Sequence, residues 1–381
     1  MELDTILARL SENTGIAEPF GASHFPIYQS ATFDLKKQQG NKKYDYSRSG
    51  NPTRDALSYV FTKAEEGAGT ICTNTGVSAV SLLFRTVLKS GDSVLVERDC
   101  YGGTYRLLNM LREKYSIHFH FADFTDLKSI KSNLENKSIN LVLCESPTNP
   151  GLKVLDLTNI AKLCSEFEVP LAVDNSLATF ASQKPLELGA DFSITSATKY
   201  ISGHGAAVAG LITAKSEAWA KKLYKYANAE GISQSPFEAF LISLGLPTLI
   251  CRMKAHEKSA IQIANYLLTR SDILEVKFPF LSNHPQYELA KQQMKICPGV
   301  ITLNMVSQEK AEQFVSKTKL FGEKASFGSA DSRIEQPIKI SHASYPKHEL
   351  DLMGIDASTI RLSIGLEHPD DLIQDIESAL G

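Results

Sequence analysis

Between residues 70 and 215, short apolar runs alternate with longer stretches of helical spacing, and this alternation limits the fold more than any other feature of the chain. The runs are TICT, SVLVE, IHFHF, LVLCE, PLAVD, DFSIT and AVAGLIT. Helical spacing fills 76–88, 104–114, 125–135 and 156–168 between most of them. A strand that reads as a near-continuous apolar run is buried on both faces, so helices must cover both sides of its sheet. The pattern predicts an α/β fold built on a large, mostly parallel, seven-stranded sheet.

The flanks differ. The first 50 residues, with FPIYQSATFDL and NKKYDYSRSGN, are polar and irregular and predict an extended arm rather than a packed element. A helix starts at Asn51-Pro52-Thr53, because Asn caps free N–H groups and Pro at the first helical position gives up an N–H that had no partner. Beyond about residue 245 come a long helical pattern (252–270), strand candidates LEVKF and VITLNMV, a helix at 308–319 and a final Pro-Asp-Asp helix start. These predict a smaller C-terminal α/β domain. The expected division is an arm at 1–58, a sheet domain at 59–245 and a second domain at 246–381.

Composition narrows the function. Forty Lys and Arg against 43 Asp and Glu give a net charge of −3. That argues against a nucleic-acid binder, which neutralises phosphates with a basic excess. The six cysteines form no C-x-x-C pair, so buried reduced thiols and no metal site are expected. The acidic N-terminus MELDTILARLSENTGI is not a signal peptide. No apolar run approaches the ~18 residues of a bilayer span. A cytoplasmic protein without membrane contact is the expectation.

Ligands of α/β sheets bind at the carboxyl ends of the strands, and four polar signals fall there. After TICT, Asn74-Thr75-Gly76-Val77 opens a helix whose free N–H groups suit an anion. Asp174 ends PLAVD, a carboxylate that needs a cationic or hydrogen-bonding partner if buried. Ser196-Ala197-Thr198-Lys199 follows DFSIT, placing two hydroxyls beside an amine that a desolvated pocket would activate. Glu145-Ser146-Pro147-Thr148-Asn149-Pro150 follows LVLC, where two prolines hold Asn149 at the cleft rim. A phosphate cradle, a carboxylate for a protonated ring nitrogen and a lysine for a Schiff base are the partners that pyridoxal phosphate needs. A nicotinamide enzyme would need G-x-G-x-x-G after a strand, and the chain has none. A non-catalytic scaffold would be expected to lose Lys199 or Asp174; both are present.

Longer motifs carry a resemblance. YDYSRSGNPTRD, GAGTICTNTGVSA, DCYGGTYR, ESPTNP, VDNSLATFASQKPLELGAD, SATKYISGH and RLSIGLEHPDDLIQDIESAL occur in order over nearly the whole chain. The chain resembles the Cys/Met-metabolism family of pyridoxal-phosphate enzymes, and most closely its bacterial cystathionine γ-synthases. The resemblance implies the fold type I transferase architecture. It implies that Lys199 holds the cofactor covalently and that Asp174 pairs with the pyridine nitrogen. Gly76, Val77, Ser196 and Thr198 would contact the phosphate, with Tyr46 and Arg48 supplied by a neighbouring subunit of a homotetramer built from two dimers. Tyr101 would stack on the ring and help activate the incoming amine. Asn149 and Arg361 would bind the α-carboxylate of a small amino-acid substrate, with Ser326 nearby.

The finer resemblance points to γ-replacement on an O-acylhomoserine, with Asp45 and Arg106 matching the synthase pattern and Arg106 suited to a succinyl carboxylate. Gly103 stands where methionine γ-lyases carry cysteine. Three departures bear on the second substrate. Ser49 replaces an arginine, Ala325 replaces a glutamate, and Gly205-Ala206 replaces Ser-Asp. The segment SFGSADSRIEQP also departs from the usual S-L-G-G-x-E-S-L. Cystathionine γ-lyase, O-acylhomoserine sulfhydrylase and a synthase using another nucleophile stay open as alternatives.

Overall fold

Asn51 begins the first long helix as its side chain predicts: its Oδ1 accepts the Thr53 N–H at 3.0 Å, and Pro52 opens the helix. The computed structural model describes residues 2–13, 20–38 and 43–381. The expected arm lies partly outside the described residues, at 1, 14–19 and 39–42. In chain order the elements are α1 (Leu3–Ala8), α2 (Pro52–Ala64), β1 (Gly69–Thr73), α3 (Gly76–Val87), β2 (Ser93–Glu97), α4 (Gly102–Tyr115), β3 (His118–Ala122), α5 (Leu127–Asn136), β4 (Ile139–Glu145), α6 (Leu157–Glu166), β5 (Leu171–Asp174), α7 (Thr179–Ser182), β6 (Phe192–Ser196), β7 (Gly210–Ala214) and α8 (Glu217–Glu230). They continue with α9 (Pro236–Gly245), α10 (Leu249–Leu267), β8 (Ile273–Lys277), α11 (Tyr287–Gln293), β9 (Val300–Met305), α12 (Gln308–Lys317), β10 (Gly322–Glu323), β11 (Arg333–Glu335), α13 (Lys347–Met353), β12 (Thr359–Ser363) and α14 (Pro369–Leu380).

All seven predicted runs become strands of one sheet, ordered β1-β7-β6-β5-β4-β2-β3. The pairings from β6 through β5, β4 and β2 to β3 are parallel, while β7 pairs antiparallel with both β1 and β6. Two antiparallel steps restore the direction, so β1 ends at the same sheet edge as β6. Gly210 is the register partner of both Thr73 and Ser196. A Cβ at Gly210 would collide with the Thr75 carbonyl, so glycine lets the β1–α3 turn close over β7.

Helices cover both faces, as apolar strands require. Leu82, Leu83, Val94, Leu141, Phe192 and Ile212 share one buried cluster; Val142, Val173, Ile160 and Leu155 share another. A second, smaller sheet, β10-β11-β12-β9-β8, carries its own core of Ile301, Leu303, Ile360, Leu362 and Leu372.

Three expectations are corrected. The N-terminal region is not wholly extended: α1 buries Leu7, which joins Leu10 and Phe25 in the cluster with Leu57 and Phe61. Cys251 is exposed on α10, whereas the other five thiols are buried and all six are free. Residues 236–267 do form a helical stretch long and apolar enough, by length and composition, to cross a bilayer. Much of its apolar surface is spent on the core through Ala239, Ile242, Leu249 and Met253.

Candidate active site

The parallel strands bring their carboxyl-terminal residues to one edge. Glu145 of β4 is the register partner of Asp174 on β5, and Ser196 ends β6 alongside. Thr75 caps α3 by accepting the Ser78 N–H at 3.0 Å. Gly76 and Val77 open that helix, where first-turn N–H groups have no partner within the helix itself. A Cβ at Gly76 would stand 2.9 Å from the Ser196 Cβ. The missing side chain therefore leaves a narrow cradle between the helix start and the β6 end, of the kind that receives a phosphate.

Beyond β6 the chain turns sharply, with Lys199 N–H donating to the Ser196 carbonyl at 3.2 Å. Lys199 Nζ lies 2.6 Å from Ser326 Oγ and 4.9 Å from the Phe327 ring centroid. Burial, with the neighbouring Arg361 cation, lowers its amine to about 8. Asp174 accepts the Ser176 N–H at 3.0 Å and has no ion-pair partner within 4 Å among the described residues. Burial accordingly holds its carboxyl above the ordinary range. Burial raises Glu145 further still, with the Asp174 charge adding to the effect, and its Oε2 accepts the Tyr101 N–H at 3.1 Å.

Arg361 comes from the second sheet. It is 2% exposed, lies 3.1 Å from the Glu335 carboxylate, and donates to Asn149 Oδ1 at 3.0 Å and the Ser326 carbonyl at 2.7 Å. The Asn149 loop is itself tied down by buried Asp99, which accepts from Thr148 Oγ1 at 2.5 Å and Gly151 N–H at 3.0 Å. Tyr101 precedes α4, and a Cβ at Gly103 would run into its ring.

A cavity of about 290 Å³ joins these groups. It is lined by Gly76, Val77, Tyr101, Arg106, Asn149, Asp174, Ser196, Thr198, Lys199, Ser326 and Arg361, eleven of the fourteen residues singled out in the sequence. Asp45, Tyr46 and Arg48 do not line it. Asp45 and Arg48 border a separate groove, where Arg48 Nε approaches Asn228 Oδ1 at 3.4 Å, and Tyr46 is exposed beside Arg48. The sequence reading assigned no role to Thr75, Glu145, Ser176, Val208, Phe327 or Ser341, which also line the cavity. Glu145 was findable, because it ends an apolar strand next to the one that ends in Asp174.

Comparison with known proteins gives a family. Residues 4–381 match the family described as Cys/Met metabolism PLP-dependent enzyme. The chain is 36% identical over 360 residues to a cystathionine beta-lyase of Lactococcus lactis, covering 94% of each. It is 35% identical over 363 residues to a cystathionine gamma-lyase of Bacillus subtilis, covering 95% of each. A solved structure of cystathionine gamma synthase from Xanthomonas oryzae pv. oryzae, in complex with aminoacrylate and cysteine, superposes with a TM-score of 0.95 at 35% identity. That match covers all of this chain and 98% of the other. The architecture is thus fold type I.

The residues fit the cofactor that defines the family. Asp174 is a carboxylate with no ion-pair partner within 4 Å among the described residues, Lys199 is an amine whose neutral form is accessible near neutral pH, and the start of α3 at Gly76 and Val77 lines one cavity with the Ser196 and Thr198 hydroxyls, as a phosphate requires. The chain belongs to the Cys/Met metabolism family of pyridoxal-phosphate-dependent enzymes.

Proposed function

We propose that the chain catalyses γ-replacement on an O-acylhomoserine, joining its four-carbon unit to cysteine as a cystathionine γ-synthase of transsulfuration and methionine biosynthesis. One observation carries this reading: of the charged side chains that line the cavity among the described residues, Arg106, Glu145, Asp174, Lys199 and Arg361, only the Arg106 cation is exposed. Ala325, Ile340 and Ser341 also line the cavity, and none carries a carboxylate to pair with a distal ammonium group. Arg106 is exposed and donates to Ser344 Oγ at 3.3 Å. A succinyl ester presents a lone distal carboxylate that suits it, whereas cystathionine presents an ammonium as well.

When bound, pyridoxal phosphate supplies an aldehyde carbon that takes up amines and a ring that accepts electron density from the substrate α-carbon. Gly76 and Val77 N–H groups, with the Ser196 and Thr198 hydroxyls, would hold the phosphate. The Asp174 carboxylate would hold a proton on the ring nitrogen, and that cation would relieve the cost of its own burial. Arg361 and Asn149 would fix the α-carboxylate, and Tyr101 would cover the ring. Lys199 Nζ would then remove the α-proton, and the same amine would serve for proton transfer at the β-carbon as the acyloxy group leaves the γ-carbon. Ser326 Oγ holds that amine between transfers.

Tyr46 and Arg48 would complete the phosphate site of a neighbouring subunit, with Asp45 at that neighbour's substrate, in a cytoplasmic homotetramer. The support is that all three lie outside the cavity of their own chain. The arm, sheet domain and C-terminal domain at 1–58, 59–245 and 246–381 remain our division of the chain.

The decisive assay offers O-succinyl- and O-acetylhomoserine with cysteine, sulfide or no thiol and identifies the products. Cystathionine supports the synthase, and homocysteine from sulfide points to a sulfhydrylase. A lyase is the second reading, favoured by relatives named cystathionine beta-lyase and gamma-lyase at 36% and 35% identity. Release of pyruvate or 2-oxobutanoate from cystathionine, with no product from either ester, would establish it. Arg106→Ala is expected to lower kcat/KM for the succinyl ester by about ten-fold and leave the acetyl ester within about two-fold. Equal losses on both would remove Arg106 from substrate recognition. Gly103→Ala is expected to push the Tyr101 ring aside and lower kcat/KM by about ten-fold or more. Wild-type kinetics in that variant would mean the ring yields without consequence.

A further inference from the structure

The turn bearing Ser326 is held in a conformation that L-residues rarely adopt. Ser326 has φ +83° and Gly328 has φ +76°. A non-glycine residue there costs on the order of 1–3 kcal/mol and persists only where its surroundings impose it. Those surroundings are one face of two adjacent strands. Arg333 and Glu335 sit two apart on β11, and their register partners on β12 are Ser363 and Arg361, so all four side chains share that face.

Three of the four grip successive peptide units of the turn. Arg333 Nη1 donates to the Ala325 carbonyl at 2.9 Å, Arg361 Nη2 to the Ser326 carbonyl at 2.7 Å, and Gly328 N–H donates to Ser363 Oγ at 3.2 Å. The Arg333 guanidinium is locked in turn by Ser329 Oγ at 2.8 Å and Asp331 Oδ1 at 3.1 Å. Gly205, at φ +64°, lies beside them: a Cβ there would be in ordinary contact, 3.4 Å from both Arg333 Nη2 and Ser329 Oγ. Two departures that are far apart in the sequence, Gly205 and the SADSR segment, thus form one cluster. The cluster also joins the lysine turn to the serine turn, through Gly203 N–H on the Lys199 carbonyl at 2.8 Å and Ala330 N–H on the Gly203 carbonyl at 3.1 Å.

We propose that Arg333 is a positioning residue for Lys199, acting through the Ala325 carbonyl to hold Ser326 Oγ on the lysine amine. This rests on the reading of Lys199 as the proton carrier. Its positive charge also helps to lower the Lys199 amine, after burial and Arg361.

The test uses the holoenzyme and the variants R333M, R333K, S326A and R333M/S326A. R333M is expected to lower kcat by about ten-fold with KM for the ester within about two-fold, the split of a residue that touches no substrate. The midpoint of the pH titration of the cofactor's visible absorbance is expected to rise, because a nearby cation has been removed. R333K should keep the midpoint but recover kcat only in part, since an ammonium cannot span a carbonyl, a hydroxyl and a carboxylate in the plane a guanidinium does. The double variant should be no slower than S326A alone, because Arg333 acts through Ser326. Losses that multiply in the double variant, or wild-type kcat and midpoint in R333M, overturn the proposal. If R333M loses its cooperative melt, R333K with R333K/S326A decides by the same comparison. K199A separates the two levels: turnover in K199A defeats the reading beneath, whereas a dead K199A with a wild-type R333M defeats only the role of Arg333.

Discussion

Lys199→Ala is expected to lower turnover of an O-acylhomoserine by about 10⁴-fold or more, because in the proposed mechanism one amine would both anchor the cofactor and move every proton on its face. The surroundings of a single atom suit it to these proposed duties. Nζ is held by Ser326 Oγ at 2.6 Å and lies over the Phe327 ring, and burial brings its amine to about 8. Near that pH it both accepts and releases a proton readily, whereas an ordinary lysine stays charged. Lys199→Arg should fare no better, since a guanidinium does not deprotonate in a protein. The fold should survive: the turn is held by backbone bonds from Lys199 to Ser196 and from Gly203 to Lys199. A melting temperature within about 3 °C of wild type is expected. The phosphate cradle should still take up pyridoxal phosphate, but borohydride should no longer fix it to the chain. Addition of a small primary amine should restore a little turnover. Steady-state activity above about one per cent of wild type, in protein free of wild-type chain, would rule out the assignment of Lys199.

The physics of burial decides what the sequence reveals here. Strands of a sheet covered by helices on both faces are largely apolar, so all seven stood out as runs, and polar residues at their ends stood out by contrast. Asp174, Ser196 and Lys199 were legible for that reason. β12 was not: its sequence TIRLS is buried along its whole length, yet Arg361 breaks the apolar run at its centre. β11 is three residues long and bears two charges. Charges buried in pairs between strands carry no periodic signal, so the Arg361–Glu335 pair could be seen only once both strands were in register. The short α1 shows a related blind spot. Leu3, Leu7 and Leu10 follow helical spacing, but six residues are too few to stand out from polar neighbours and gain their helix from packing. The strained φ of Ser326 leaves no trace in residue type at all. Arg106 and Asn149 lay on a helix and a loop that spacing could not rank; their place in the cavity came from tertiary structure.

Arg361→Ala is expected to cost on two separable accounts. The first is stability, since Glu335 is 1% exposed and would be left as a buried carboxylate without its cation, a loss of about 3–5 kcal/mol in denaturant unfolding. Its Oε1 would keep only the Ser341 hydroxyl, at 2.6 Å. The second is substrate capture, since the charge-assisted pair proposed with the α-carboxylate would be absent from the variant, and kcat/KM should fall by about 10²–10³-fold, mostly through KM. Glu335→Gln distinguishes them. In the double variant Arg361→Ala/Glu335→Gln no charge is stranded, so most of the lost stability should return while KM stays high. Arg361→Lys should behave between the two, keeping a cation for Glu335 but not spanning Asn149, the Ser326 carbonyl and a substrate carboxylate together. If the double variant recovers KM along with stability, the guanidinium serves the fold and the α-carboxylate is bound elsewhere. If KM stays high while the unfolding midpoint recovers, Arg361 is the carboxylate anchor, and the buried Glu335 is there to orient it.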